Sequence, residues 1–261
     1  MTWDAFIFFA APAALCWVLA AIMGTKRSLF GPAQLLGAVG VFVLGVFIGG
    51  LWLGLERPPM RTMGETRLWY AFFLALIGIA TASRWKYPWL LSISCLLACV
   101  FLGVNLFKPE IHSVTLMPAL QSVWFIPHVT VYMVAYALLG VATIAACKLL
   151  VASAKGDGPR DKQLLVFTDN VVYIGLGFLL MGLLSGAFWA KEAWGHYWSW
   201  DPKETWAFIT ATGYLLYVHM RLGDVTHRLA MAVLPLAFVL LMIAWLGVSY
   251  LPAASGSVHV Y

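Results

Sequence analysis

The sequence predicts an all-α polytopic membrane protein, a bundle of about eight transmembrane helices with one Trp-rich loop on the outer side. Three observations predict it. Of the 261 residues, 62% are hydrophobic and 10% charged, where a soluble domain carries roughly a quarter charged residues. Mean hydropathy is +0.88. Apolar runs of about 20 residues, the length that crosses a bilayer, fall at 3–23, 32–55, 68–83, 89–107, 128–152, 164–188, 205–220 and 229–250. No stretch between them reads as a soluble domain, so residues 1–261 are expected to form a single integral membrane domain.

Each element has its own signal. The first run begins almost at once and has no basic residue ahead of it. It meets Lys26 and Arg27 only afterwards, the pattern of an anchored helix rather than a removed signal peptide. The third and seventh runs are short, which a small tilt accommodates. The seventh has a clear start: Asp201, Pro202 and Glu204 stand where an N-cap, a first-turn proline and a capping-box acid belong. Asp201 therefore reads as a helix cap that fixes the geometry of the loop before it, not as a catalytic acid.

Basic residues give the orientation. Lys26, Arg27, Arg84, Lys86, Lys148, Lys155, Arg160, Lys162, Arg221 and Arg228 lie on or near one side, and Arg57, Arg61, Arg67, Lys108, Lys191 and Lys203 on the other. The positive-inside rule then puts both termini, the connection 108–127 and the Trp-rich loop outside. Because these residues are scattered, the net charge of +5 gives no nucleic-acid footprint. Cys16, Cys95, Cys99 and Cys147 all fall in apolar runs without a C-x-x-C motif and read as small buried hydrophobes.

The most informative segment is WGHYWSWDPKETWAF, residues 194–208, within a Trp-rich loop spanning 189–205. Trp194, Trp198, Trp200 and Trp206 crowd around one acid and one proline, with Gly195 and Tyr197 between them. Such a cluster suits a flat apolar ligand, and it also suits an aromatic belt at the membrane interface. The histidines discriminate. His128 opens the fifth run from the outer side, His259 lies in the outer C-terminal segment and His196 sits in the Trp loop. A planar macrocycle with a central iron takes an aromatic platform and one or two axial imidazoles. His128 and His259 thus become candidate axial ligands of one haem b, iron protoporphyrin IX. His219 lies near the inner end of the seventh run, where an ionisable group is costly. It reads as one ligand of a second haem site, or as an interhelical hydrogen-bonding group. This chain offers no second histidine at that depth. His112 and His227 read as solvated loop residues. Lys191, Lys203, Lys108 and the Arg57/Arg61/Arg67 group could pair with haem carboxylates, or simply snorkel at helix ends.

The segment WGHYWSWDPKETWAF resembles the tryptophan-rich (WWD) signature of the haem-handling protein superfamily of cytochrome c biogenesis. The DPKET ending and the following YVHMR are similar to its CcsA/ResC branch, system II. PALQSVWFIPHV, residues 118–129, looks like the family segment leading to a first external histidine, here His128. GVSYLPAASGSVHVY looks like the segment carrying the second, here His259, and YVHMR puts the family's transmembrane histidine on His219. The likeness covers roughly 118–261. It implies a haem-binding and haem-delivery subunit of a cytochrome c synthase, with Trp194, Trp198, Trp200, Asp201, Gly195 and Tyr197 forming the haem-contacting motif and no catalytic side chain assigned. Two partners follow. One is a ResB/CcsB-type membrane protein supplying the missing inner histidine, and the other is an apocytochrome c with its C-x-x-C-H motif. The location implied is the bacterial cytoplasmic membrane or its thylakoid equivalent. His196 stands where relatives carry a small residue, and Lys191 where they often carry Asn. The competing readings are a secondary transporter with an aromatic gate and a regulator of the HemX type. Transporter repeats, broken helices or charged residues at the midplane are not evident, and the intact Trp motif argues against the regulator.

Overall fold

The computed structural model describes residues 1–109, 118–154, 162–223, 225–252, 254, 257 and 259. These carry eight α-helices: α1 (Phe6–Met23), α2 (Phe30–Leu55), α3 (Met63–Trp85), α4 (Pro88–Phe107), α5 (Phe125–Ala154), α6 (Lys162–Trp194), α7 (Pro202–Leu222) and α8 (His227–Met242). One helix answers each expected span. Seven helical segments are long and apolar enough to cross a membrane. α7 is long enough but more polar, with Lys203 and Glu204 in its first turn and His219 and Arg221 in its last. The chain is an integral membrane protein.

The ends follow local chemistry. α3 starts on a capping box in which Thr62 accepts from the Glu65 N–H and Glu65 accepts from the Thr62 N–H, satisfying two orphan donors. α4 and α7 both have proline in the first turn, where a missing N–H costs nothing. The Asp201–Glu204 capping box is formed as expected. The loop expected over 189–205 is shorter, because α6 runs on through Trp194 and α7 begins at Pro202. Ala190, Lys191, Glu192 and Ala193 are strong helix formers and carry α6 past the apolar run.

The chain divides into two compact units, Met1–Leu116 and Met117–Tyr261. In the first, α1 packs against α2 and α4, and α3 packs against α4 and α2. Trp17 is fully buried there and donates its indole N–H to the Gly37 carbonyl at 3.2 Å. The indole lies so close to Gly40 that a Cβ there would stand 2.5 Å from Trp17 Nε1, so glycine is required for the helices to approach. Arg57, for which the sequence left both a ligand carboxylate and snorkelling open, is engaged by a carboxylate of its own chain. Its guanidinium grips buried Glu65 through two bonds of 3.0 and 2.8 Å, a bidentate geometry.

In the second unit α5 packs on α6 and α8, and α7 on α8 and α6. After α8 the backbone widens into a π turn at Ile243–Gly247 and ends in a short 3₁₀ turn, Val248–Tyr250. This carries the chain back toward the start of α7. The cysteines are free thiols. Cys95 is buried, whereas Cys147 is exposed on α5 and is not the small core residue expected.

Candidate functional site

One end of the second unit gathers most of the residues the sequence singles out. His128 stands in the first turn of α5, with its ring against α6. Its Nδ1 lies 2.9 Å from the Gly182 carbonyl oxygen. A carbonyl only accepts, so Nδ1 carries the proton and donates. The imidazole stacks on Trp189 at 5.4 Å and 28°, and meets Tyr132 edge-on at 4.6 Å. Trp189 is 2% exposed and donates Nε1–H to the Ala119 carbonyl at 2.8 Å. His259 reaches the same indole, at 5.4 Å, and packs at 4.6 Å on Trp194. Trp189 and Trp194 meet in a T-shaped pair at 4.9 Å. Two imidazoles therefore share one buried indole.

Asp201 holds the second imidazole. Its Oδ1 is 2.8 Å from His259 Nδ1, and also accepts from the Ser257 hydroxyl and the Lys203 N–H, each at 3.0 Å. The His259 backbone N–H donates in turn to Ser257 Oγ at 3.1 Å. The residue expected to cap α7 does cap it, and the same oxygen fixes a histidine 58 positions away. Burial pushes the His259 imidazole below its ordinary value near 6.5, partly opposed by the Asp201 charge. It stands neutral at physiological pH, the form that ligates metals.

Nδ1 contacts sort the histidines by chemistry. His128, His259 and His219 all donate Nδ1–H to an oxygen, the last to the Leu215 carbonyl at 2.8 Å. In each, the lone pair is left on Nε2, and an acceptor on the far nitrogen raises ligand basicity. His227 is the reverse. Its Nδ1 faces Nη1 of Arg221, an obligate donor, so Nδ1 accepts and Nε2 holds the proton. The three histidines expected as ligands thus carry their proton on Nδ1, and His227 carries its proton on Nε2.

The turn between α6 and α7 displays the remaining aromatics. Gly195 has φ +86° and Trp200 φ +60°. A left-handed tryptophan costs about 1–3 kcal/mol, and its neighbours hold it there. Thr205 Oγ1 donates to the Trp200 carbonyl at 3.1 Å, and the Ser199 and Asp201 N–H groups converge on Glu204. Trp198 and Trp200 meet edge to face at 5.7 Å, and Trp200 meets Phe208 at 5.8 Å, with Trp200 63% exposed. Tyr197 is exposed too, with the Lys191 ammonium 5.5 Å from its ring centre. Lys191 also donates to the Gly195 carbonyl at 2.8 Å, tying the turn to α6. His196 is exposed in this turn.

The structure thus joins His128, Trp194, Asp201 and His259 around Trp189. It sets Trp198 and Trp200 in a second, exposed aromatic group. His219 lies apart on an exposed face of α7, about 27 Å along the helix from Asp201 at 1.5 Å per residue. Trp189 and Asp169 were not singled out from sequence. Trp189 precedes the dense motif by five residues, and Asp169 is an acid inside an apolar span, a signal in itself. His112, Lys155 and Arg160 lie outside the described residues.

Packing around His128 gives a test that removes no functional side chain. A Cβ on Gly186 would stand 2.7 Å from His128 Cε1 and 2.8 Å from Nδ1. The ring is pinned between Trp189 and the Gly182 carbonyl and has little room to yield. Gly186→Ala is expected to reproduce the defect of His128→Ala in haem-binding spectra while the protein still accumulates in membranes. Wild-type spectra from this variant would show that the ring is free to move.

Fold and site together define a class of protein, the helical integral membrane proteins that hold two imidazoles on one buried indole beside a Trp-rich turn. The chain belongs to the cytochrome c assembly protein family, whose model matches residues 60–254. It is 34% identical to a cytochrome c biogenesis protein CcsA of Chlorella vulgaris, over 77% of this chain and 77% of the relative. It is 30% identical to the CcsA of Cuscuta reflexa over 80% of each chain. A CcsA of the cyanobacterium Prochlorococcus marinus is 31% identical over 77% of this chain and 75% of the relative. The family match begins well ahead of residue 118, inside the first unit.

Proposed function

We propose that this protein is the haem-holding and haem-presenting subunit of a system II cytochrome c synthase. The observation that carries the reading is the pair His128 and His259, packed on one indole with both Nδ1 atoms committed to oxygen acceptors. Two neutral imidazoles with Nε2 lone pairs would be suited to hold an iron already carried in a macrocycle. The motifs of the second unit do this work. Trp194, Trp198 and Trp200 offer apolar faces, and Tyr197 and Gly195 shape the turn that displays them. Asp201 orients His259. Lys191 and Lys203, beside the turn in sequence, would neutralise carboxylates. When bound, haem would supply the vinyl groups across which the two thiols of an apocytochrome C-x-x-C-H motif add, each addition breaking one S–H bond and one C=C π bond and forming one C–S and one C–H bond. The side chains here hold and orient, and none is assigned the proton transfer.

His219, on the far part of α7, is one ligand of an inner haem site in this reading, completed by a histidine of a ResB/CcsB-type partner. Its exposure on α7 supports a second polypeptide there. Both termini and the Trp turn lie on the outer face of the cytoplasmic membrane or its thylakoid equivalent, from the distribution of Lys and Arg.

Two measurements test the reading. Protein purified with its partner should show a Soret band and, on reduction, the paired visible bands of a six-coordinate haem. A colourless complex that still matures cytochromes would overturn it. Reporter fusions between α5 and α6 should read cytoplasmic and fusions after α8 external, and the opposite result would reverse every assignment of sides.

A further inference from the structure

At the end of the second unit opposite the Trp turn, four side chains join three helices. Asp169 of α6 accepts from Arg221 Nε at 2.7 Å on Oδ1 and from Nη2 at 2.6 Å on Oδ2. The Tyr217 hydroxyl donates to the same Oδ1 at 2.6 Å. Arg221 extends its remaining nitrogen to His227, the first residue of α8. The ion pair is mostly shielded, with side chains 13% and 15% exposed. A carboxylate within an apolar span is expensive, and a buried pair gives little net stability over a well-packed apolar alternative. What such a pair does supply is one register and one rotation of the helix that carries it.

Tyr217 and Arg221 are four residues apart and share a face of α7, turned to Asp169. His219 is midway between them in sequence, hence about 200° round the helix from Tyr217, on the exposed side. The clamp therefore sets the direction in which His219 points. At a side-chain radius of about 6 Å, a rotation of about 20° moves Nε2 by about 2 Å. A metal–nitrogen bond tolerates about 0.2 Å.

We infer that Asp169, through Arg221 and Tyr217, is the positioning residue of the inner haem site and holds the His219 imidazole in its ligating direction. The inference rests on the reading of His219 as a haem ligand, and the variants separate the two. Asp169→Asn, Tyr217→Phe, His219→Ala and the Asp169→Asn/His219→Ala double variant are each purified with the partner protein. Haem per polypeptide and the reduced-minus-oxidised spectrum are recorded with and without added imidazole.

Asp169→Asn is expected to lower inner-site haem several-fold at unchanged outer-site signal, and free imidazole to restore it, as for His219→Ala. The double variant is expected to be no worse than His219→Ala alone. Tyr217→Phe removes one hydroxyl and should give a smaller loss of the same kind. The charge-swapped pair Asp169→Arg/Arg221→Asp should recover part of the haem. A wild-type spectrum in both Asp169→Asn and Tyr217→Phe, with haem lost in His219→Ala, would overturn the positioning role and leave the ligand standing. Losses that add in the double variant, or that imidazole does not restore, would also overturn it, marking the clamp as structural. An unaltered His219→Ala would remove the ligand and the inference with it.

Discussion

Replacing His128 or His259 with alanine is expected to abolish cytochrome maturation and to cut outer-site haem affinity by more than about 100-fold. Losing an outer-shell partner of a metal ligand already costs about 10–100-fold, and removing the ligand itself costs more. Free imidazole should restore part of both activities, because each truncation leaves a space of imidazole size beside Trp189, against the Gly182 carbonyl for His128 and against Asp201 for His259. The measurement is haem per polypeptide and covalent haem in a reporter cytochrome, with and without imidazole. Normal maturation in both variants would show that these residues are not ligands. A defect confined to His196→Ala would transfer the role to the turn.

Asp201 is expected to give the next largest effect, and two substitutions separate its duties. Asp201→Ala removes the α7 cap, worth about 1 kcal/mol, together with the acceptor that fixes His259. Maturation should fall about 10–100-fold, as for other outer-shell partners. Asp201→Asn keeps a good cap and an accepting oxygen but deletes the charge. The folded His259 imidazole already lies below the unfolded value near 6.5, chiefly through burial, with Asp201 pulling it back up. Its contribution to stability and ligation is thus complete above pH 6.5 and lost as pH falls through the folded value. Deleting the Asp201 charge lowers that value further. Haem retention in Asp201→Asn should therefore persist to lower pH than in the wild type, even if affinity at neutral pH is reduced. An acid limb that moves to higher pH would show that the carboxylate does not govern this histidine.

The helical architecture was legible because apolar runs, capping signals and prolines are local. Asp201, Pro202 and Glu204 announce the start of α7 within four residues, and α7 begins there. His128 and His259 were legible as candidates, and the structure brings them to one indole. Their shared support was not legible. Trp189 becomes the centre of the site only because α6 continues through the segment read as loop, which puts it on the same helix as Gly182 and Gly186 and under the His128 ring. The second duty of Asp201 depends on a contact with a residue 58 positions away, a distance that no local pattern encodes. The Arg57 pairing was illegible for the same reason, since its partner Glu65 is fixed by the α3 cap that brings the two together. Asp169 carried a readable signal, a charge in an apolar span, but its partners sit on another helix.

The bond between Asp201 and His259 has a consequence for biosynthesis. It closes a loop that contains the whole of α7 and α8, and the bond between His128 and Gly182 closes another across α5 and α6. A nascent chain that has inserted six helices contains His128, Gly182 and Trp189, yet it lacks both Asp201 and the residue that Asp201 holds. On the proposed function, such a chain would offer a haem one imidazole and not the other, and an iron gripped by a single imidazole would exchange readily rather than stay bound. Competence arrives late and all at once, when the segment after α8 folds back onto the start of α7.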